Sequence, residues 1–280
     1  MSVTSVQSLS REVEATQRAP QRLLLALLGE LLERGISRPV RASFYLDVLE
    51  SAGVAAPTTR AALDRMAVTG LLSRARVGRG VEFALTDQGR TVLEEASERV
   101  HSPHPFDPVG SGWTLVTFTV PEDQRTLRHR LRAALAWEGF AAVRDGLWIA
   151  PGEVDLVAAL GGLKEELPAG AVIAFRARDL AAFPVADAAR TAWDLARIRA
   201  AHERFAMEWN TAETIEAPPL AALTMLVADW LELLRSDPRL PFDYLGEDWP
   251  AQRTTEIYRA RRAAWSAAAA EALTAAIPGD

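Results

Sequence analysis

The chain has 280 residues, 49% of them apolar and 24% charged, with a formal net charge of −6 and no cysteine. Such a length holds two or three domains with real cores, and the composition excludes a disordered or fibrous chain. Lack of cysteine removes disulfides, thiolate nucleophiles and cysteine-ligated zinc together. The longest apolar run, residues 23–28, is far below the roughly 18 residues of a membrane span, and the N-terminus lacks a basic-then-apolar signal pattern, so a cytoplasmic protein that enters no membrane is expected.

Residues 1–19 are polar without sustained periodicity and read as a flexible tail. A first helix follows Pro20, with Leu24, Leu27, Leu28 and Leu31 at i, i+3, i+4, i+7 and a stop at Gly35. Residues 36–40 are extended, residues 41–50 form a second helix, and Gly53 closes it. Pro57, Thr58 and Thr59 then signal another helix start, with Thr59, Leu63 and Met66 on one inward face and Arg60, Ala61, Asp64 and Arg65 off it. Gly70 ends this helix. Two arms, 72–76 and 81–85, flank Val77-Gly78-Arg79-Gly80, where glycine supplies the positive φ of a tight turn. Val81, Phe83 and Leu85 point inward in alternation with Glu82 and Ala84. Residues 86–89 cap a further helix running to about residue 99.

Residues 20–99 therefore read as a winged helix-turn-helix. Between residues 56 and 80 stand Arg60, Arg65, Arg74, Arg76 and Arg79 against Asp64 alone, a net of +4 inside a chain of −6. Phosphate neutralisation supplies most non-specific nucleic-acid affinity, so this concentration of charge points to double-stranded DNA. Thr58, Thr59, Arg60 and Arg65 are assigned to the helix that enters the major groove. Arg74, Arg76 and Arg79 belong to the wing, with Arg76 and Arg79 reaching backbone or minor groove. The plainer alternative is a solvated helix and an ordinary hairpin. It leaves the coincidence of helix face, glycine turn and local charge unexplained.

Residues 100–112, with three prolines and two glycines, read as a linker. His101 and His104 sit in it without a second pair of ligands, so they are expected to be exposed, and no metal or cofactor is expected. The next block, 113–180, alternates strand (113–120), helix (123–137), strand (139–144), strand (147–150), helix (154–166) and strand (171–177). This βαββαβ order is that of a ferredoxin-like sheet, with Asp145-Gly146 as the turn between its middle strands. Residues 187–280 are helical and acidic, ten arginines against fifteen acids. Trp193, Leu195, Ile198, Phe205 and Trp209 mark one long helix, Leu223, Leu226, Trp230, Leu233 and Leu234 another, and a last helix begins near Gln252. The prolines of DPRLPFDYL bar regular helix there. The fold class is α+β.

The winged region followed by WTLVTFTVPEDQRTLRHRLRAALAWEGFAAVRDGLWIAP resembles the PaaX family of bacterial transcriptional repressors, and DPRLPFDYLGEDWP is similar to that family's C-terminal DP-x-LP and W-P signature. The resemblance spans about residues 20–260. It implies a homodimeric repressor with a Cas2-like central domain, released from its operator by an aryl-CoA thioester such as phenylacetyl-CoA. The chain departs from the family pattern at Ala228 and Leu231, where a histidine and an arginine are usual, and at Gly246, where a proline is common. Arg125, Arg128 and Arg132, at i, i+3, i+7 on one helix, match arginines of the family and are candidate holders of acyl-CoA phosphates. The competing reading, a solvated and salt-bridged face, is preferred for them.

Three functions compete, one of them a winged helix used only for protein contact, which steep salt dependence of DNA binding would exclude. A ligand-responsive, non-enzymatic DNA-binding regulator acting as a dimer on an inverted-repeat operator accounts for the charge pattern. A metal-dependent nuclease on the central domain is the alternative. It is disfavoured because Cas2-type nucleases carry an aspartate at the end of the first strand, where this chain has none and Pro121 follows.

Overall fold

A computed structural model of the protein describes residues 18–144, 146–180, 182, 185–210 and 216–277. The predicted tail up to residue 17 and Asp145 of the predicted turn lie outside the described residues. The chain divides into two compact units, one made of residues 1–101, 207–232 and 256–280, the other of residues 102–206 and 233–255. No helix is long and apolar enough to cross a membrane among the described residues.

In the first unit, α1 (Pro20–Glu33) opens on proline, whose fixed φ and missing N–H suit a first turn, and Leu23, Leu24, Leu27, Leu28 and Leu31 are all buried. Gly35, at φ 72°, ends it in the left-handed region. Next come β1 (Val40–Arg41), α2 (Ala42–Ser51), α3 (Ala56–Val68), β2 (Leu72–Val77), β3 (Gly80–Leu85) and α4 (Asp87–His101). The three strands form an antiparallel sheet in the order β1-β3-β2. The Thr86 hydroxyl donates to the Gly70 carbonyl (2.6 Å) and accepts from the Gly89 amide (3.0 Å), which pins the start of α4 to the end of α3. Only glycine fits at position 89, where a Cβ would stand 2.1 Å from the Leu71 carbonyl oxygen.

C-terminal segments complete this unit. Helix α10 (Pro219–Ser236) and helix α11 (Ala251–Ala276) place Trp230 flat on Tyr258, with ring centroids 4.2 Å apart. Arg262 of α11 reaches Glu30 at 2.6 Å and Glu33 at 2.7 Å on α1, and Glu30, only 1% exposed, also holds Arg34 at 2.6 Å. Arg18 grips Asp229 (2.7 Å) and Glu208. Burial works against the charge of Arg18 and Arg262, yet the attraction of these partners outweighs it, and both guanidiniums are held above their ordinary range.

In the second unit, β4 (Trp113–Phe118), α5 (Arg125–Trp137), β5 (Ala141–Arg144), β6 (Leu147–Pro151), α6 (Leu156–Leu160), α7 (Leu163–Glu166) and β7 (Val172–Ala177) follow in order. Their antiparallel sheet runs β5-β6-β4-β7. Because side chains alternate along a strand, its two faces build two cores. Val116 and Ala150 meet Leu131, Leu135, Leu160 and Leu163 on one side. Trp113, Ala141 and Ile149 meet Ala189, Trp193, Ile198, Leu240 and Trp249 on the other.

Three predicted elements differ from the structure. The helix expected over 154–166 breaks at Gly161, whose φ of 48° and ψ of −136° no other residue adopts readily, so α6 and α7 are separate. The long helix expected to carry both Trp193 and Trp209 is instead α8 (Ala186–Ala192) and α9 (Leu195–Asn210), with Trp193 itself extended between them. Finally, α4 runs on to His101, and Phe106 in the expected linker is buried against His202, ring centroids 4.7 Å apart.

Candidate nucleic-acid interface

Helix α3 turns Thr59, Ala62, Leu63 and Met66 inward and leaves Thr58, Arg60, Asp64 and Arg65 exposed. Thr59 is a correction to the sequence reading: at 0% exposure its side chain is part of the core and not of any outward surface. It lies on the same stripe as Leu63 and Met66, and helical geometry places all three alike. In the hairpin, Arg74 pairs across from Phe83 and Arg76 from Val81, so both arginines occupy one face of β2, and both are exposed. Gly78, at φ 59°, closes the two-residue turn that puts Arg79 at the tip.

These elements enclose a cleft of about 480 Å³ between the start of α2, the exposed side of α3 and the hairpin. Arg41, Arg60, Arg74 and Arg79 line it against Asp64 as its one acid. Arg65 and Arg76 stand exposed outside it. The acids near these arginines bind them loosely: Arg74 is 3.4 Å from Asp64 and Arg41 3.8 Å from Glu82, each at an exposed guanidinium. Surface pairs of this kind contribute at most about 1 kcal/mol and exchange readily for phosphate. Arg60, Arg65, Arg76 and Arg79 form no ion pair with the described residues. What this arrangement does well is accept a polyanion.

Arg125, Arg128 and Arg132 are placed differently. Arg125 lies 3.7 Å from Glu122, and Arg128 donates to the Val120 carbonyl at 2.7 Å, so both have partners in their own unit, while Arg132 is exposed. Their neighbour Arg130 clasps Glu166 with two bonds of 2.6 and 2.7 Å, and that hydrogen bond lowers the carboxyl of Glu166 below its usual range. His101 sits 2.7 Å from Glu33, and His104 3.6 Å from Asp107. Among the described residues no three His, Cys, Asp or Glu side chains gather as a metal site.

Sequence reading missed two residues. Arg41 reaches the cleft because it sits immediately before α2, a placement visible only once β1 pairs with β3. His202 is fully buried in the second unit, 2.8 Å from Asp237 through Nε2 and 3.2 Å from Thr254 through Nδ1. Its signal was present, since it interrupts the apolar stripe of Ile198, Phe205 and Trp209 at i+4.

Fold and cleft together define a mixed α and β protein with a basic cleft on an acidic chain. The sequence matches three family descriptions: PaaX-like protein over residues 19–89, PaaX protein central Cas2-like domain over residues 107–188, and PaaX-like protein C-terminal domain over residues 193–275. The chain belongs to the PaaX family. It is 25% identical over 222 residues to transcriptional repressor PaaX of Escherichia coli K12, covering 75% of this chain and 69% of that one. It is also similar in structure to uncharacterized protein Rv0674 from Mycobacterium tuberculosis, with a TM-score of 0.58 and 25% identity over 87% of this chain and 95% of the other.

Proposed function

We propose that the protein is a transcriptional repressor that binds double-stranded DNA through a winged helix-turn-helix formed by residues 20–99, with a ferredoxin-like, Cas2-like domain in its centre. The observation that carries this reading is the cleft lined by Arg41, Arg60, Arg74 and Arg79 on a chain of net charge −6. Similarity to the E. coli repressor supports it. In this reading Thr58, Arg60 and Arg65 work on the helix side, and Arg74, Arg76 and Arg79 on the wing. The protein acts as a homodimer on an inverted-repeat operator, and an aryl-CoA thioester releases it by favouring one spacing of the two recognition helices over another.

Footprinting of upstream DNA with and without aryl-CoA thioesters tests the reading. A protected inverted repeat that the thioester exposes is expected, and absence of any protected site overturns it. In gel shifts, Arg65→Ala weakens binding to the operator selectively, whereas Arg79→Ala weakens operator and random duplex alike. Parental affinity in both variants would place the DNA surface elsewhere. The nuclease alternative gains no support, because β4 carries no carboxylate between Trp113 and Phe118.

A further inference from the structure

A second cleft, of about 410 Å³, lies within the second unit between α8, the start of α9 and the loop that follows α10. Arg190, Leu195, Arg199, Tyr244, Leu245 and Trp249 line it. That volume is of the size ordinary for small-molecule sites, and its combination of apolar walls with a few polar groups is the usual make-up.

One wall is fixed in advance. The Tyr244 hydroxyl donates to Asp179 at 2.5 Å, and the Trp113 indole donates to the other oxygen of the same carboxylate at 2.6 Å. The two rings meet edge to face with centroids 5.3 Å apart. Burial and then Asp179 hold the phenol's proton, pushing its pKa up to about 12. Tyr244 therefore offers its ring to the cleft, while its hydroxyl is already engaged.

Another part of the lining is incomplete. Trp249 is 9% exposed, and its indole nitrogen is buried with no acceptor among the described residues. An unsatisfied buried donor is costly, and indoles in cores usually find a partner. Above this ring lies the Arg199 guanidinium, 5.2 Å from the ring centroid. It donates to both carboxylate oxygens of Asp248, at 2.9 and 3.1 Å, and lies 4.0 Å from Glu203, but the Asp248 side chain is 82% exposed and that of Glu203 59%. The cation is thus seated on an aromatic face and neutralised by a solvent-facing carboxylate that another anion can replace.

We propose that this cleft binds a small organic anion with a flat aromatic body. The body lies against Tyr244, Leu245 and Trp249, its carboxylate takes the place of Asp248 on Arg199, and an oxygen accepts from the Trp249 indole as Arg199 shifts. The preference for negative charge rests on the Arg199 guanidinium, which takes the anion by exchange with Asp248. The site does not depend on the DNA-binding reading, and its test contains no DNA.

The full chain is titrated calorimetrically with 2-naphthoate and with its neutral counterpart 2-naphthamide. A saturable site with one naphthoate per chain is expected, at least about ten-fold tighter than for the amide, as a charge-assisted bond to arginine implies. Arg199→Gln removes that difference. Trp249→Phe keeps an aromatic ring, though a smaller one, loses the N–H and weakens naphthoate several-fold. Since Arg199 also braces the Asp248 loop, Ala196→Trp provides an independent check. It fills the cleft from an exposed position of α9, and it abolishes binding while the melting temperature stays at the parent value. No binding at millimolar naphthoate, equal affinity for the amide, or full affinity in Ala196→Trp overturns the proposal. Each of these results leaves the gel-shift test of DNA binding unaffected.

Discussion

Arg262 and Arg60 belong to the same compact unit and carry the same charge, yet they sit in opposite environments. Arg262 is 15% exposed and divides its guanidinium between Glu30 and Glu33. Arg60 is exposed, lines the cleft and makes no ion pair with the described residues. Desolvating a cation is costly and persists only where paired carboxylates compensate, so Arg262 is committed to holding α11 against α1. An arginine left solvated retains its charge for an incoming partner. The lesson is that arginine content alone says little: exposure separates the arginines that hold this chain together from those that can meet a ligand.

The largest expected effect tests the first half of that contrast. Arg262→Ala leaves the buried Glu30 with Arg34 alone, and the unfolding free energy should drop by about 3 kcal/mol in urea denaturation. A loss below about 1 kcal/mol would mean that the network is not what joins α1 to α11. Next in size, Arg60→Ala should leave stability within about 0.5 kcal/mol of the parent while weakening operator binding by about 1–3 kcal/mol in a gel-shift titration. Should it unfold the protein instead, the two arginines are not the contrasting pair described above.

Salt sharpens the comparison further. Operator affinity should fall steeply between 50 and 200 mM salt, as counterion release requires, with the logarithmic slope reduced by about one unit in Arg79→Ala. The smallest effect concerns an exposed pair. Arg130 holds the Glu166 carboxyl below its ordinary value of 4.5, so the pair stabilises above that pH and loses its contribution as the pH falls below it. Melting curves of the parent and Glu166→Gln should therefore differ slightly near neutrality, converge in acid, and converge also at high salt. A difference that grows on acidification would reverse the assigned direction.

Much of the first unit was legible in the sequence. The leucine stripe of α1 and the inward face of α3 are local periodicities, and each buries the residues that its period assigns, whereas of the alternating Val81, Phe83 and Leu85 only Phe83 is buried. The second unit was less legible. Trp193 continues an apolar period that promised unbroken helix, yet its indole donates to the Gly139 carbonyl at 3.2 Å and its ring stacks on Trp113, centroids 6.2 Å apart. Those contacts span more than fifty residues of chain, and no window of sequence contains them. The basic character of the candidate DNA surface could be read from charge, and the inward place of Thr59 from helical period, whereas Arg41 as a lining residue required the packed structure.

By itself, the amino-acid order determined where most helices and strands form, which faces of α1 and α3 are apolar, and that positive charge gathers between residues 56 and 80. Tertiary structure alone decided which cations are paired and which remain exposed, where Trp193 breaks a helix, and that Tyr244, Arg199 and Trp249 share a cleft. The division has a physical cause. Backbone hydrogen bonding and side-chain periodicity are set by near neighbours, whereas desolvation, ion pairing and cavity shape depend on groups that meet only when distant segments pack.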